Sequence, residues 1–308
     1  MPKIIPVECD SMGKVTHQEL YSNDDVGRMF RHSGQCAAPV IIEAQTTMSL
    51  RRYLREMLRY RELLLFLVWR DVLIKYRRTV LGLGWILIQP ALQTCILWWF
   101  IGGRLSNEGR SETFLLQVLL GTTLWLYGAN TILLAIHQLS SSGHLISKVY
   151  FPRALLAIAP ALAHLLDLGV MSLLLGGVLA VFHTWHLKLG LLALCYLGTV
   201  IFVLGPALVA GGLAARFRDI KHVAPYLMQV WFLSTPAIYL PYSSRSAALD
   251  LIGIINPLDC WVSAGQALVI DAPMRVETWL IAITGSLLWC LGGLWLFIRL
   301  ERNLADHV

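Results

Sequence analysis

Two adjacent arginines, Arg77 and Arg78, carry the clearest anion-binding chemistry in the sequence. Guanidinium groups hold phosphate oxygens through charge-assisted, often paired hydrogen bonds, so two of them side by side suit a pyrophosphate. Gly82 and Gly84 follow closely, and glycine leaves such a junction free to change its backbone conformation. Long basic side chains also extend toward lipid headgroups without binding a substrate. The four residues therefore predict an anion-binding site, with simple anchoring of the arginines as the alternative.

Aromatic residues are the second chemically suggestive group, because the chain is rich in tryptophan and tyrosine. Their side chains combine an apolar ring, which packs on the CH faces of sugars, with a polar tip. A wide pore for a sugar polymer would suit such a lining, although the interfacial belts of membrane proteins have the same composition. The candidates for a channel lining are Trp85, Trp98, Trp99, Trp125, Tyr127, Trp231, Tyr239 and Trp261.

Motifs for catalysis or metal binding are missing from the sequence. There is no phosphate-binding GxxxxGKS/T loop, no GxSxG or HExxH motif and no Cys/His pattern with metal-ligand spacing. His164 and Asp167 lie three positions apart in an apolar run, where ionisable residues are functional suspects. A proton relay is one interpretation, but a mutually satisfied polar pair is favoured because further ionisable groups are missing. We therefore expect no catalytic residue, no metal site and no cofactor in this chain.

The distribution of charge indicates the fold class. Hydrophobic residues make up 56% of the chain and charged residues 14%, against about 25% charged residues in a typical soluble domain. Six runs have no Asp, Glu, Lys or Arg, apart from Asp167 in the third: 79–103, 113–147, 154–187, 189–215, 223–244 and 278–298. A helix needs roughly 20 apolar residues to cross a bilayer. The sequence therefore predicts an all-α integral membrane protein with six transmembrane helices.

The basic residues predict an orientation in the membrane. Of the 25 Lys and Arg residues, 13 precede the first predicted span, and cytoplasmic segments carry the excess of basic residues. Both termini are thus expected in the cytoplasm, with the chain in a bacterial inner membrane. The net charge of +6 reflects this topology and does not indicate nucleic-acid binding. Three regions follow: a loosely ordered cytoplasmic extension (1–47), an amphipathic interfacial region (48–79) and a six-helix membrane domain (80–308).

Helical periodicity marks the segment before the first span. Leu65, Trp69 and Tyr76 share one helical face, whereas Asp71 and Lys75 fall on another. This pattern favours a helix on the membrane surface, with its apolar side in lipid and its polar side toward headgroups. A cytoplasmic helix that packs against a partner protein is the alternative.

Two short apolar runs precede the last span, at 247–255 and 258–270, with a turn signal at Asn256-Pro257 between them. Both are too short to cross a bilayer, which is typical of re-entrant or interfacial helices. On the outer side they could shape the mouth of a pore, or they could form a cap that only packs.

Several motifs together resemble those of the polysaccharide-export ABC transporter permeases. They are Arg70-Asp71, the run 75–82, Trp85, Gln89-Pro90, the cytoplasmic runs 148–153 and 217–222, and Asn256-Pro257. Members of that family export O-antigen, capsule or wall teichoic acid. The resemblance extends over about residues 50–305 and is specific to the family, though not to one polymer.

The resemblance implies a transport subunit without its own ATPase site. It implies a homodimer, two separate ATP-binding subunits that hold ATP and Mg, and a channel for undecaprenyl-pyrophosphate-linked polysaccharide, most simply O-antigen. Arg77 and Arg78 would then lie at the substrate entrance. Contacts with the ATPase are expected from Lys148, Tyr150, Phe151, Arg153, Arg218 and Asp219. The alternatives are a membrane transferase acting on lipid-linked sugar, or a permease of the same architecture for drugs or another lipid.

Overall fold

Helices are the only regular elements in the described part of the chain. The computed structural model describes residues 50–77, 82, 84–102, 112–141, 151–182, 187–217, 219–235, 238, 256–273 and 275–305. The helices are α1 (Leu50–Arg59), α2 (Arg61–Tyr76), α3 (Gly84–Gly102), α4 (Glu112–Ser141), α5 (Ala154–Ala163), α6 (Leu165–Val181), α7 (Leu192–Arg216), α8 (Ile220–Leu233), α9 (Pro257–Val269) and α10 (Val276–Ala305), with a 3-10 helix at Leu187–Leu191. The all-α prediction is confirmed for these residues.

Five stretches of helix are long and apolar enough to cross a membrane. They are Gly84–Ile101, Glu112–Ser141, Ala154–Val181, Lys188–Arg216 and Val276–Glu301. Each overlaps one of the predicted spans, because long runs without charge can satisfy their backbone polar groups in lipid only as helices. The third stretch consists of α5 and α6, which are separated by a break at His164.

The fifth predicted span coincides with α8, which has 14 residues. A helix of that length extends only about 21 Å, less than the roughly 30 Å of a bilayer core. The helix ends at Leu233, and residues 236, 237 and 239–255 lie outside the described residues. The count of six spans stays a prediction.

The centre of the bundle is formed by α4, α7 and α10. Helix α7 packs along both α4 and α10, and its crossing with α10 depends on two glycines. A Cβ atom added at Gly205 would lie 2.2 Å from the carbonyl oxygen of Trp289, and one at Gly293 would lie 2.6 Å from the carbonyl oxygen of Gly205. Small residues are the usual means by which membrane helices approach this closely.

We expect Gly205→Ala to destabilise the protein by about 1–3 kcal/mol, the usual cost of an overpacked contact. The added methyl group would meet the backbone of α10, which cannot turn aside as a flexible side chain can. Gly177→Ala is the matched control, because nothing lies within 4 Å of a Cβ atom there. Thermal unfolding of the detergent-solubilised variants measures the difference. Equal midpoints for the two variants would show that α7 and α10 do not depend on this contact.

Helix α9 occupies the position of the second short apolar run. All of its 13 residues are buried, and it packs against α4, α7 and α10. Trp261 fits against Gly198, where a Cβ atom would lie 2.0 Å from the indole ring, and its Nε1–H donates to Ser286 Oγ at 2.7 Å. The helix is thus an integral part of the bundle. The first short run, 247–255, lies outside the described residues.

Helix α2 orients its faces differently from the sequence-based expectation. Its polar residues Asp71 and Lys75, expected to face headgroups, bond instead to side chains of α4 and α6. Large apolar side chains face outward, with Phe66, Trp69 and Ile74 all more than 60% exposed. The periodicity separates the two faces but cannot indicate which neighbour each face meets. A position on the membrane surface stays a prediction.

Candidate functional site

An ion pair joins the end of α2 to the middle of the third predicted span. Lys75 Nζ and Tyr76 Oη donate hydrogen bonds to the two carboxylate oxygens of Asp167. The Lys75 side chain is 38% exposed and that of Asp167 16%, so the ammonium group is the more accessible partner. Burial, together with the Asp167 carboxylate, raises the pKa of Tyr76 above its ordinary value. Tyr76 therefore remains a hydrogen-bond donor at physiological pH.

A second polar contact lies about one helical turn before Lys75 on α2. Asp71 is 7% exposed and accepts hydrogen bonds from Gln138 Nε2 at 2.5 Å and from Arg70 Nη2 at 2.9 Å. Because Gln138 belongs to α4, this contact ties α2 to the second span, as the Lys75–Asp167 pair ties it to the third. Burying a carboxylate is costly unless its oxygens are paired, and both oxygens of Asp71 are.

His164 and Asp167 do not form the pair that their spacing suggested. The Nδ1 atom of His164 lies 2.9 Å from Pro160 O and 3.4 Å from Thr131 Oγ1, whereas Asp167 bonds to Lys75 and Tyr76. Both side chains have hydrogen-bond partners, as the interpretation without a proton relay expected, but they do not bond to each other. The expectation of mutual satisfaction was therefore wrong about the partners.

A cavity of about 60 Å³ lies beside the ion pair, where α2, α3, α4 and α6 meet. Its lining is mixed. Hydrogen-bonding groups come from Lys75, Tyr76, Gln89, Thr123, Asn130 and Asp167, and aromatic rings from Trp85 and Tyr127. Several of these residues belong to the motif that opens the family resemblance. The motif therefore includes the lining of a polar cavity at the start of the first span.

The residues of the predicted substrate entrance are neighbours, in the sequence, of residues that line this cavity. Arg77 directly follows α2, and its side chain is exposed and has no partner among the described residues. Gly82 has φ +49°, a left-handed conformation that favours glycine, and Gly84 begins α3. Arg78 lies outside the described residues. Arg77, Gly82 and Gly84 thus lie along one short connection between α2 and the first span, and their role in substrate binding stays a prediction.

The aromatic residues proposed as a channel lining occupy three kinds of position. Trp85 and Trp99 are about half exposed and Trp98 is partly buried, all three on α3. Tyr127 and Trp261 are buried, with Tyr127 Oη donating to Ala161 O at 3.1 Å. Tyr239 lies outside the described residues. A lining role stays a prediction for all of them.

Trp125 and Trp231 belong to a larger aromatic cluster that the sequence did not reveal. Their ring centroids are 5.8 Å apart in an edge-to-face arrangement. Phe232 packs on Trp125 at 5.5 Å, and Phe202 packs on Trp231 at 6.0 Å and on Trp289 at 6.2 Å. The cluster connects α4, α8, α7 and α10, so α8 contacts the core through its last turn.

The predicted ATPase contacts are described only in part. Lys148, Tyr150 and Arg218 lie outside the described residues. Phe151 and Arg153 are partly buried at the start of α5, and Asp219 is exposed just before α8. The backbone N–H of Arg153 donates to Glu301 Oε1 at 3.1 Å. The carboxylate of the last helix thus holds the start of α5, and no local signal in the sequence pointed to it.

Three further residues escaped the sequence-based selection of site residues: Lys75, Asp71 and Gln138. Lys75 and Asp71 appeared only as parts of a motif and as a polar helical face. The available signal was Asp167, because a carboxylate in an apolar run requires a partner. The ionisable residue near Asp167 in the sequence is His164, whereas the actual partner, Lys75, is 92 residues away.

The sequence of the chain is similar to those of three known permeases. No protein-family model matches the chain. A protein of Myxococcus xanthus named O-antigen export system permease protein RfbA is 25% identical over 250 residues, covering 79% of this chain and 95% of that protein. Two proteins of Klebsiella pneumoniae with the same name are 21% identical over 254 and 251 residues, covering 80% of this chain and 94% of each. The predicted resemblance to polysaccharide-export permeases is thereby confirmed: over about four-fifths of its length, the chain is similar to proteins named O-antigen export system permeases.

Proposed function

We propose that the chain is the membrane-spanning permease subunit of an ABC exporter for lipid-linked polysaccharide, most simply O-antigen. The observation that carries the proposal is the similarity to three O-antigen export permeases, which extends over nearly their whole length. Five apolar helices of membrane-spanning length support it. A carrier of this kind needs no catalytic group, because the chemical step is ATP hydrolysis elsewhere.

The energy source in this proposal is a separate ATP-binding subunit that holds ATP and Mg. Two permease chains and two such subunits would form the complex in the inner membrane, with both permease termini in the cytoplasm. Closure of the ATPase pair would move the cytoplasmic ends of the spans, and the undecaprenyl-pyrophosphate-linked glycan would pass outward between the two permeases. The bond from Arg153 to Glu301 supports such transmission, because it links the start of α5 to the last helix.

Deletion of the gene in its own bacterium, with complementation, tests this function. Surface O-antigen should disappear while the lipid-linked glycan accumulates unaltered inside the cell. An ATPase-dead variant of the partner subunit should give the same phenotype, which makes it the matched control. A membrane transferase would instead leave the glycan incomplete or chemically changed. Normal surface glycan after deletion would contradict export of that polymer.

Coupling to the ATPase leads to a more specific expectation. Tyr150→Ala with Phe151→Ala should abolish surface display, because both aromatic side chains belong to the predicted cytoplasmic run 148–153, which precedes α5. The amount of permease in the membrane should stay unchanged, since these residues lie outside the five apolar spans. Surface glycan and membrane-inserted permease are measured in the same cells. Wild-type display by the double variant would remove the loop from the coupling mechanism.

A further inference from the structure

The ammonium group of Lys75 is paired with a carboxylate of the same chain, that of Asp167. Its Nζ bonds to Asp167, yet its side chain remains 38% exposed. Arg77, two positions later, is exposed and has no side-chain partner among the described residues. We propose that Lys75 is a further binding residue for the pyrophosphate of the lipid-linked substrate, and that Asp167 holds this position until the substrate displaces it. The inference rests on the proposed function and assigns a new role to both residues.

The chemistry of the exchange is that of two competing anions. A carboxylate and a phosphate oxygen are alternative acceptors for the same ammonium group, and both form charge-assisted hydrogen bonds with it. Asp167 also accepts from Tyr76, so this carboxylate would keep one hydrogen bond after Lys75 turned away. After the exchange the carboxylate has lost its counter-ion but keeps this one donor, which reduces the cost of its charge in the apolar span.

The surroundings of the ion pair have room for such an exchange. The adjoining cavity of about 60 Å³ exceeds the roughly 10–15 Å³ that one water molecule requires. Gln89 and Asn130 line it, and their amides supply both donors and acceptors. Trp85 adds an aromatic ring at the same place. An anionic group at Lys75 would thus meet hydrogen-bonding side chains of the cavity.

The exchange would also change how α2 is attached to the bundle when the substrate binds. The Lys75–Asp167 pair is the charged link between α2 and α6 in the described residues. Once phosphate takes Lys75, α2 stays attached to the bundle through Asp71 and Gln138 but loses its charged tie to the third span. Occupancy of the entrance would therefore free the end of α2, which leads directly into the first span.

Three variants separate binding from simple attachment of α2. Lys75→Gln removes the cation, and Asp167→Asn removes the competing anion. The exchanged pair, Lys75→Asp with Asp167→Lys, keeps an ion pair but presents the opposite charge at position 75. Asp271→Asn is the control, because it breaks the exposed Lys188–Asp271 pair elsewhere in the chain. The assembled complex with its ATPase is studied in phosphatidylcholine nanodiscs, with undecaprenyl pyrophosphate as the probe and phosphatidylglycerol as the alternative anion.

The proposal orders the variants by their affinity for undecaprenyl pyrophosphate. Lys75→Gln and the exchanged pair should each bind about tenfold more weakly than wild type, the value of one charge-assisted contact. Asp167→Asn should bind more tightly and should raise ATPase activity without substrate. The control should match wild type in both measurements.

Three results would overturn the proposal. One is wild-type affinity in the exchanged pair, which would make the contact a structural tie only. Another is an equal response to phosphatidylglycerol, which would identify Lys75 as an ordinary headgroup contact. The third is no binding of the probe by wild type. Export itself is judged by surface glycan in the deletion strain, so a failure here is distinguishable from a failure of the proposed function.

Discussion

Exchange of Arg77 and Arg78 for glutamine is expected to weaken engagement of the proposed pyrophosphate-linked substrate by about two or more orders of magnitude. Each charge-assisted contact with phosphate contributes roughly 1.5–3 kcal/mol, and about 1.4 kcal/mol corresponds to a tenfold change. Arg77 is exposed and has no side-chain partner in the described part of the chain, so its charge is available to a ligand. Substrate-stimulated ATPase activity of the reconstituted complex measures the effect.

The lysine pair is the matched control for this experiment. Arg77→Lys with Arg78→Lys keeps both charges but loses the planar fork that binds two phosphate oxygens at once. Stimulation should therefore be strongest in wild type, intermediate in the lysine pair and weakest in the glutamine pair. Orientation in the membrane is checked separately, because basic residues beside the first span help to determine it. If a correctly inserted glutamine pair responds as wild type does, the arginines are only membrane anchors.

Replacement of Gln138 by leucine is expected to cost roughly 1.5–3 kcal/mol of stability, the range for a hydrogen bond to a charged group. Gln138 Nε2 donates to Asp71 Oδ2 at 2.5 Å, and Asp71 is 7% exposed. The leucine variant leaves that oxygen buried without its donor, while Arg70 still holds Oδ1 at 2.9 Å. Reversible unfolding in mixed micelles, followed by tryptophan fluorescence, measures the free energy.

A double-mutant cycle distinguishes this pair from general loss of packing. Asp71→Leu with Gln138→Leu replaces both partners by apolar groups and should recover part of the stability lost in Gln138→Leu alone. Gln229→Leu, at an exposed position of α8, is the control for the change of side chain. Strict additivity of the two substitutions would mean that the contact contributes little to the attachment of α2.

Features that depend on local composition could be predicted from the sequence. The runs 79–103 and 278–298 lack charge for long enough that only a membrane helix accommodates them, and long apolar helices form there. The turn at Asn256-Pro257 marks the start of α9, because proline is favoured in the first turn of a helix. In each case the decisive information lies within about 30 neighbouring residues, so periodicity and length were sufficient.

Features that depend on distant partners could not be predicted in the same way. Lys75 and Asp167 are 92 positions apart, and nothing in either segment indicates that α2 and α6 are neighbours. The bond between Arg153 and Glu301 spans 148 positions, and no local sequence pattern indicates it either. Asp71 was expected on the polar face toward the headgroups, whereas it is buried and bonded to Gln138. Which helical faces meet is decided by packing between distant segments, and local patterns in a single sequence do not reveal it.

Helix α9 has a consequence for how the chain is made. It leaves the ribosome before α10, yet its buried surface includes contacts with α10, among them the bond from Trp261 to Ser286. At 13 residues it is too short to be integrated as a span of its own. During synthesis the surface of α9 that contacts α10 therefore stays uncovered until α10 has been made. A chain cut short before α10 would leave this surface exposed to membrane quality control.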